Sequence, residues 1–401
     1  MSASKGLPSW AQRDAVRYIF DAARRLGGEA RIVGGAVRDW LAGFDVREID
    51  MAVNLPIQAI ASELQQNQCV KVIYTGLDHG TVTVVSGKDR IEVTQTRSDD
   101  ETDGRHALVR FQDDWATDAA RRDFTINAIY LDADGQVFDP LDGQTDLANR
   151  RLRFVGKAAD RVQEDALRML RYCRFSIDYS DGSHDREAIE ALTSFAVLSE
   201  RLSGERVTQE LQKILSHERC ASTIDLLNKT GLDKTSLGCD LVVGSAPSSP
   251  QDLRLVMAGS GWLVLLVAII PQTDVTMVLK RLRLSRAEQK FCEQLAQSNP
   301  AQIFAQLSAL NWRQSAFFMK RRAAAFYACA AWRLGKALDR QHYRVLIEWQ
   351  PPKLPVSGAD LLSHGVDKGQ ALGQMLYDAE KLWVQSDFTM TKPALLAAVV
   401  K

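Results

Sequence analysis

The chain has 401 residues, 50 basic and 50 acidic side chains, and a formal charge of zero. Its 46% hydrophobic and 25% charged residues are those of an ordinary globular protein, and the balanced charge excludes a histone-like polybasic binder while leaving room for a basic groove offset by acidic surface elsewhere. At about 100–200 residues per domain, the length allows two to four domains.

The N-terminal stretch has no basic n-region leading into an apolar h-region, so no signal peptide is predicted. Residues 10–26 carry helical periodicity through Trp10, Ala15, Val16, Ile19, Phe20, Ala22 and Ala23. Short β-type runs follow at Ala30–Val33, Ile49–Val53, Val70–Tyr74, Thr81–Ser86, Ile91–Thr96, Thr125–Leu131 and Val137–Asp139. Thr96–Phe111 is polar and rich in Asp, and reads as a mobile loop. From about residue 156 the pattern turns helical: Ala158–Ile177, Asp185–Ser199, Glu205–Ser216 and Ala221–Thr230. Leu255–Ile270 is the most apolar stretch, but it is too short for the roughly 20 residues of a membrane helix and reads as buried core. Ser245–Asp252 and Trp349–Gly358 are the linker candidates. The six cysteines form no CxxC or Cys/His cluster, which points to buried thiols in a reducing compartment. A soluble, cytoplasmic protein with no membrane segment is expected, of α+β class: a mixed-sheet head followed by helices.

Two segments of the head carry chemistry. Gly34-Gly35-Ala36-Val37-Arg38-Asp39 places a glycine pair between a β-run and a short helix. There the backbone can approach a phosphate, and Arg38 can add a charged contact. Glu48 and Asp50 lie two apart in an extended run and so share a face. Such a pair is either two solvated acids or a hard-oxygen site for Mg²⁺. Glu92, on a neighbouring run, is a candidate third carboxylate.

Further motifs follow in order: Arg121-Arg122-Asp123-Phe124-Thr125-Ile126-Asn127-Ala128, Asp139-Pro140, Asp142-Gly143, Asp146-Leu147, Arg153-Phe154-Val155-Gly156, Glu164-Asp165-Ala166-Leu167-Arg168 and Glu205-Arg206-Val207 with Glu210-Leu211. Together with the first two segments, this set resembles the class II tRNA nucleotidyltransferase and bacterial poly(A) polymerase family over residues 28–215. The resemblance implies a polymerase-β-like nucleotidyltransferase head followed by an all-α neck, body and tail, placed at 1–155, 156–235, 236–345 and 346–401. It implies Mg²⁺ held by Glu48 and Asp50 as the catalytic acids. It implies an incoming nucleotide bound by Gly35, Arg38 and Arg122. It also implies a base read by Asp165 and Arg168, with Arg171 and Arg174 adding contacts. Chemistry agrees with the last point: Asp accepts from the amino group of cytosine or adenine, and Arg donates to ring nitrogens or carbonyl oxygens. The family usually carries Asp at the position of Glu48. The longer Glu is expected to shift or weaken the metal without changing the chemistry.

The implied substrates are CTP, ATP and tRNA, with no obligate protein partner. The Thr96–Phe111 loop and Tyr74–Val82 resemble the CCA-adding branch, particularly its alphaproteobacterial members. Poly(A) synthesis and a catalytically impaired RNA-binding homologue remain the alternatives. Residues 231–401 carry basic runs at Lys280-Arg281-Leu282-Arg283 and Lys320-Arg321-Arg322 that suit an RNA backbone. This half carries no His-Asp pair of the kind a built-in phosphohydrolase would use.

Overall fold

The computed structural model describes residues 6–77, 80–102, 107–111, 114–242, 244, 247, 249–257, 261–319 and 322–400. These fall into two compact units, Met1–Leu211 with Asp225–Leu237, and Gln212–Ile224 with Gly238–Lys401.

The first unit is built on a mixed sheet of seven strands. Their ranges are β1 (Ala30–Val33), β2 (Asp50–Val53), β3 (Lys71–Gly76), β4 (Thr81–Ser86), β5 (Asp89–Gln95), β8 (Tyr130–Leu131) and β9 (Val137–Phe138), in the order β3-β4-β5-β2-β1-β8-β9. Only β2 and β5 run parallel. Strand alternation separates the two faces. Ile32, Met51, Val53, Val82, Val84, Ile91 and Val93 are buried in one apolar core with helices α1 (Asp14–Arg25) and α3 (Ile57–Gln65). Val33 and Ala52 lie on the other face, packed with Trp115, Ala119 and Tyr130, the first two from α4 (Trp115–Ala120). Asp50 and Glu92 belong to this second face.

Between β1 and β2 lies α2 (Gly35–Leu41). After the sheet come α5 (Gly143–Ala148), α6 (Ala158–Glu164), α7 (Leu167–Tyr179), α8 (Arg186–Phe195) and α9 (Gly204–Leu215), the last belonging to this unit up to Leu211.

Three of the expected elements in this unit change. Thr125–Leu131 is strand only at Tyr130–Leu131; Thr125–Asn127 is a 3-10 turn, because its Thr125 is tied to Asp146 and not to a neighbouring strand. The expected loop at 96–111 is a paired ribbon, β6 (Arg97–Thr102) against β7 (Ala107–Phe111), with 103–106 outside the described residues. The expected single helix Ala158–Ile177 breaks at Asp165, which has extended backbone (φ −149°) and ends α6.

Among the described residues of the second unit, the regular elements are helices. Every residue of Gly261–Ile269 is buried, as expected for the apolar run. No helix among the described residues is long and apolar enough to cross a membrane. Of the Ser245–Asp252 linker candidate, residues 245, 246 and 248 lie outside the described residues, as do Lys320 and Arg321, and a helix begins at Pro250. Cys69 is exposed, against the expectation of buried thiols; the other five cysteines are buried.

Candidate active site

The sheet register assembles the acidic part. Val33 at the end of β1 pairs with Asp50, and Asp50 pairs with Glu92 of β5. Paired residues point to the same face, so the Asp50 and Glu92 carboxylates stand side by side. Glu48 lies two residues before Asp50. All three residues are exposed. Loss of hydration around its carboxyl, then the charge of Glu92 and then that of Glu48, push the Asp50 pKa up to about 6, with Arg122 countering part of the rise. Among the described residues no three His, Cys, Asp or Glu side chains converge as a ready-made metal cage. The set nonetheless suits Mg²⁺, which takes one or two carboxylates and completes its shell with water and substrate phosphates. A carboxylate crowded by like charge is the group that a cation would relieve.

The glycine turn starts beside these acids, because Gly34 follows Val33. Gly34 has φ +72°, a conformation that a side chain rarely adopts. A Cβ built there would lie 3.7 Å from Nη1 of Arg122. From Gly35 the chain enters α2. Arg38 is 8% exposed. Its Nη1 donates to Oδ1 of Asn127 at 2.6 Å, and its Nε and Nη2 donate to Oδ1 of Asp39 at 2.9 and 2.7 Å. Arg122 donates to Asp118 from Nη2 at 3.0 Å and to the Tyr130 hydroxyl from Nε at 3.1 Å. Burial opposes the Arg122 charge, but Asp118 and Tyr130 hold it firmly protonated. The same pairing, with Arg121, keeps the buried Asp118 ionised against its own burial.

The break at Asp165 defines the third part. Oδ1 of Asp165 accepts from the Leu167 amide at 3.0 Å, at the start of α7, and Oδ2 accepts from Arg206 of α9 at 2.7 Å. Asp favours such a position because its short side chain competes for backbone amides. Arg168 is held by Glu164 at 2.7 Å and by the carbonyls of Arg161 and Arg121 at 3.2 and 3.3 Å. Arg171 donates to Asp123 at 2.8 Å, which keeps the Asp123 carboxyl ionised despite its burial. Arg174 donates to Glu210 of α9 at 2.6 Å.

The expected residues therefore fall into two connected groups. Glu48, Asp50 and Glu92 meet on one face of the sheet, at the start of its interior strand β2, with Arg122 and the Gly34-Gly35 turn. Arg38 and Arg171 are joined by side-chain bonds running through Asn127 and Asp123, and Arg174 joins them through Glu210, which also lies 4.0 Å from Arg171. Asp165 and Arg168 stand at the start of α7, each on its own partners. The sequence reading quoted Asp123, Asn127, Arg206 and Glu210 as motif members without giving them tasks. Asp118, Phe175 and Tyr179 were missed; no local pattern distinguishes them from ordinary core or helix residues.

Other motif residues brace the scaffold. Asp139 accepts from the amides of Gly143 and Gln144, both at 2.8 Å. A Cβ on Gly143 would come within 2.3 Å of the Thr125 carbonyl. Asp146, fully buried, accepts from the Thr125 hydroxyl at 2.6 Å and from Arg153 at 2.9 Å. These contacts fix the segment that carries Arg122 and Asp123.

Residues 30–153 match the family model described as the poly A polymerase head domain, and residues 185–236 match the one described as the probable RNA and SrmB-binding site of polymerase A. The chain is 34% identical to the mitochondrial CCA tRNA nucleotidyltransferase 1 of Mus musculus, over 93% of this chain and 87% of that one. It is 31% identical to the CCA-adding enzyme of Levilactobacillus brevis, over 96% and 97%. The crystal structure of the Bacillus stearothermophilus CCA-adding enzyme in complex with CTP superposes with a TM-score of 0.76 at 25% identity, covering 98% of this chain and 97% of that one.

Proposed function

The chain belongs to the CCA tRNA nucleotidyltransferase family, and from that premise we propose that it completes tRNA 3′ ends by adding C, C and A from CTP and ATP. It is an enzyme of the nucleotidyltransferase type. The observation that carries the reading is the juxtaposition, in one unit, of registered carboxylates at Asp50 and Glu92 with a glycine turn and a set of arginines fixed on protein partners.

In the reaction, the tRNA 3′-hydroxyl attacks the α-phosphate of the incoming nucleotide, a phosphodiester forms, and pyrophosphate leaves. Asp50 and Glu48 would hold Mg²⁺, with Glu92 as the third carboxylate. When bound, the ion would supply charge stabilisation at the triphosphate and lower the pKa of the attacking hydroxyl. Gly34 and Gly35 let the backbone come close to the phosphates, and Arg38, Arg122, Arg171 and Arg174 offset their charge. Because these guanidiniums already sit on acids and rings, little reorganisation is needed when the nucleotide enters.

Asp165 and Arg168 read the base. Asp165 accepts from the exocyclic amine that cytosine and adenine share, and Arg168 donates to the ring edge. Both are held by protein partners, as a template made of side chains requires. The helical remainder would bind the tRNA, and the free thiols suit a cytoplasmic, reducing compartment.

The test uses purified protein, Mg²⁺ and one tRNA in three forms: lacking CCA, ending in C, and ending in CC. Each form receives CTP, ATP, both, or UTP with GTP. Extension that stops at CCA establishes the proposal. A ladder of adenylates on generic RNA would instead make the enzyme a poly(A) polymerase, and no incorporation would point to an RNA-binding homologue impaired at Glu48.

A further inference from the structure

Phe175 and Tyr179 lie one turn apart on α7, both buried, with ring centroids 5.9 Å apart. Three guanidiniums gather on Phe175: Arg174 at 4.1 Å, Arg38 at 4.8 Å and Arg171 at 5.3 Å from its centroid. Arg38 also lies 4.4 Å from the Tyr179 ring, and the Tyr179 hydroxyl donates to Oδ1 of Asp39, the atom that receives Arg38. Arg38 comes from α2 at the glycine turn, whereas Arg171 and Arg174 come from α7. The two rings are therefore where the turn and the helix are joined.

We infer that Phe175 and Tyr179 are positioning residues that set three arginines as one clamp for the nucleotide triphosphate. The inference rests on the reading of those arginines as nucleotide contacts. The physical reason for rings is specific. Three cations this close repel one another, and the acids Asp39, Asp123 and Glu210 relieve the repulsion. Each carboxylate, however, occupies N–H donors. A ring face attracts a guanidinium through its quadrupole and leaves the donors in the guanidinium plane free for phosphate oxygens. An aliphatic side chain of similar volume would fill the space without holding the charge.

The test compares Phe175→Leu, Phe175→Tyr, Tyr179→Leu and Tyr179→Phe with Arg38→Ala, Arg171→Ala and Arg174→Ala. It measures KM and kcat for CTP and for ATP, tRNA affinity and Tm. The expected result for Phe175→Leu is a KM about tenfold higher for both nucleotides, with kcat and tRNA affinity little changed; Phe175→Tyr stays near the parent. Tyr179→Leu is expected to raise KM by a similar factor, and Tyr179→Phe, which keeps the ring, by about threefold or less.

If Phe175→Leu does not fold, the Tyr179 pair decides the question by the same criterion. An unchanged KM in the leucine variants, equal loss in each leucine and aromatic pair, or a fall in kcat alone would overturn the inference. If the three arginine variants also leave KM unchanged, the fault lies in the reading of the arginines. If they raise KM while the ring variants do not, the rings are packing only.

Discussion

Around α7 each cation of the site rests on an acid, Arg168 on Glu164, Arg171 on Asp123 and Arg174 on Glu210, whereas on β2 and β5 the register sets Asp50 against Glu92 and Arg122 relieves only part of the resulting repulsion. The first region is electrostatically complete before any ligand arrives. Its side chains are held in place, as the proposed reading of a base and grip on a phosphate would need. The second region is left with excess negative charge. Such a site gains most from a cation, and the fold tolerates it because Glu48 and Glu92 remain exposed while the less hydrated Asp50 holds its proton more tightly.

The largest effect expected from this contrast is at Asp50. Asp50→Ala should lower single-turnover incorporation of CTP on the order of 1,000-fold while leaving tRNA affinity unchanged. Near-normal turnover would remove Asp50 from the metal site. Next comes base choice. Asp165→Ala or Arg168→Ala should lower the preference for CTP and ATP over UTP and GTP by roughly 10- to 100-fold, the loss of a paired set of base contacts. Uniform slowing with all four nucleotides would mean that these residues only join α6 to α7.

Glu210→Gln removes a charge from the completed region. It should raise nucleotide KM several-fold through Arg174 and lower Tm, because a largely buried cation loses its counter-charge. Unchanged kinetics would show that Glu210 serves the fold alone.

A smaller effect should appear in the pH dependence of the metal-free protein. With its pKa raised from 3.8 to about 6, folded Asp50 holds its proton more tightly than the unfolded chain does. Stability from this group is therefore present at low pH, falls as pH rises between those two values, and is lost above about 6. Mg²⁺ binding to the ionised form should recover it, raising Tm by a few degrees at about pH 7.5 and hardly at about pH 5. The recovery should vanish in Asp50→Asn; a shift that persisted there would place the ion elsewhere. The smallest effect is expected for Glu48→Asp, which should retain or modestly raise activity. A severe loss would mean that the site is tuned to the longer side chain.

Much of the site was legible because its motifs are local. The Gly34-Gly35 turn, the Glu48/Asp50 pair and the strands at Ala30–Val33 and Thr81–Ser86 depend on neighbours within a few residues. The break at Asp165 was not legible. Helical periodicity runs through it, and Arg206, 41 residues away, joins the Leu167 amide in holding the carboxylate where the helix ends. The 96–111 ribbon was missed because its composition is that of a loop, and pairing across it supplies what local propensity lacks.

By itself the sequence determined which groups are present and their local order: a glycine turn, acids spaced by two, and a run of arginines beside an Asp. Those properties follow from side-chain chemistry and short-range periodicity. Only the tertiary structure decided which of them meet. The parallel register of β2 and β5 chose Glu92 as the neighbour of Asp50 from strands 42 positions apart. The packing of α7 against α2 brought Arg38 to Phe175 and Tyr179. Electrostatics and cation–π attraction act over a few ångströms of space, and only the folded chain fixes those distances.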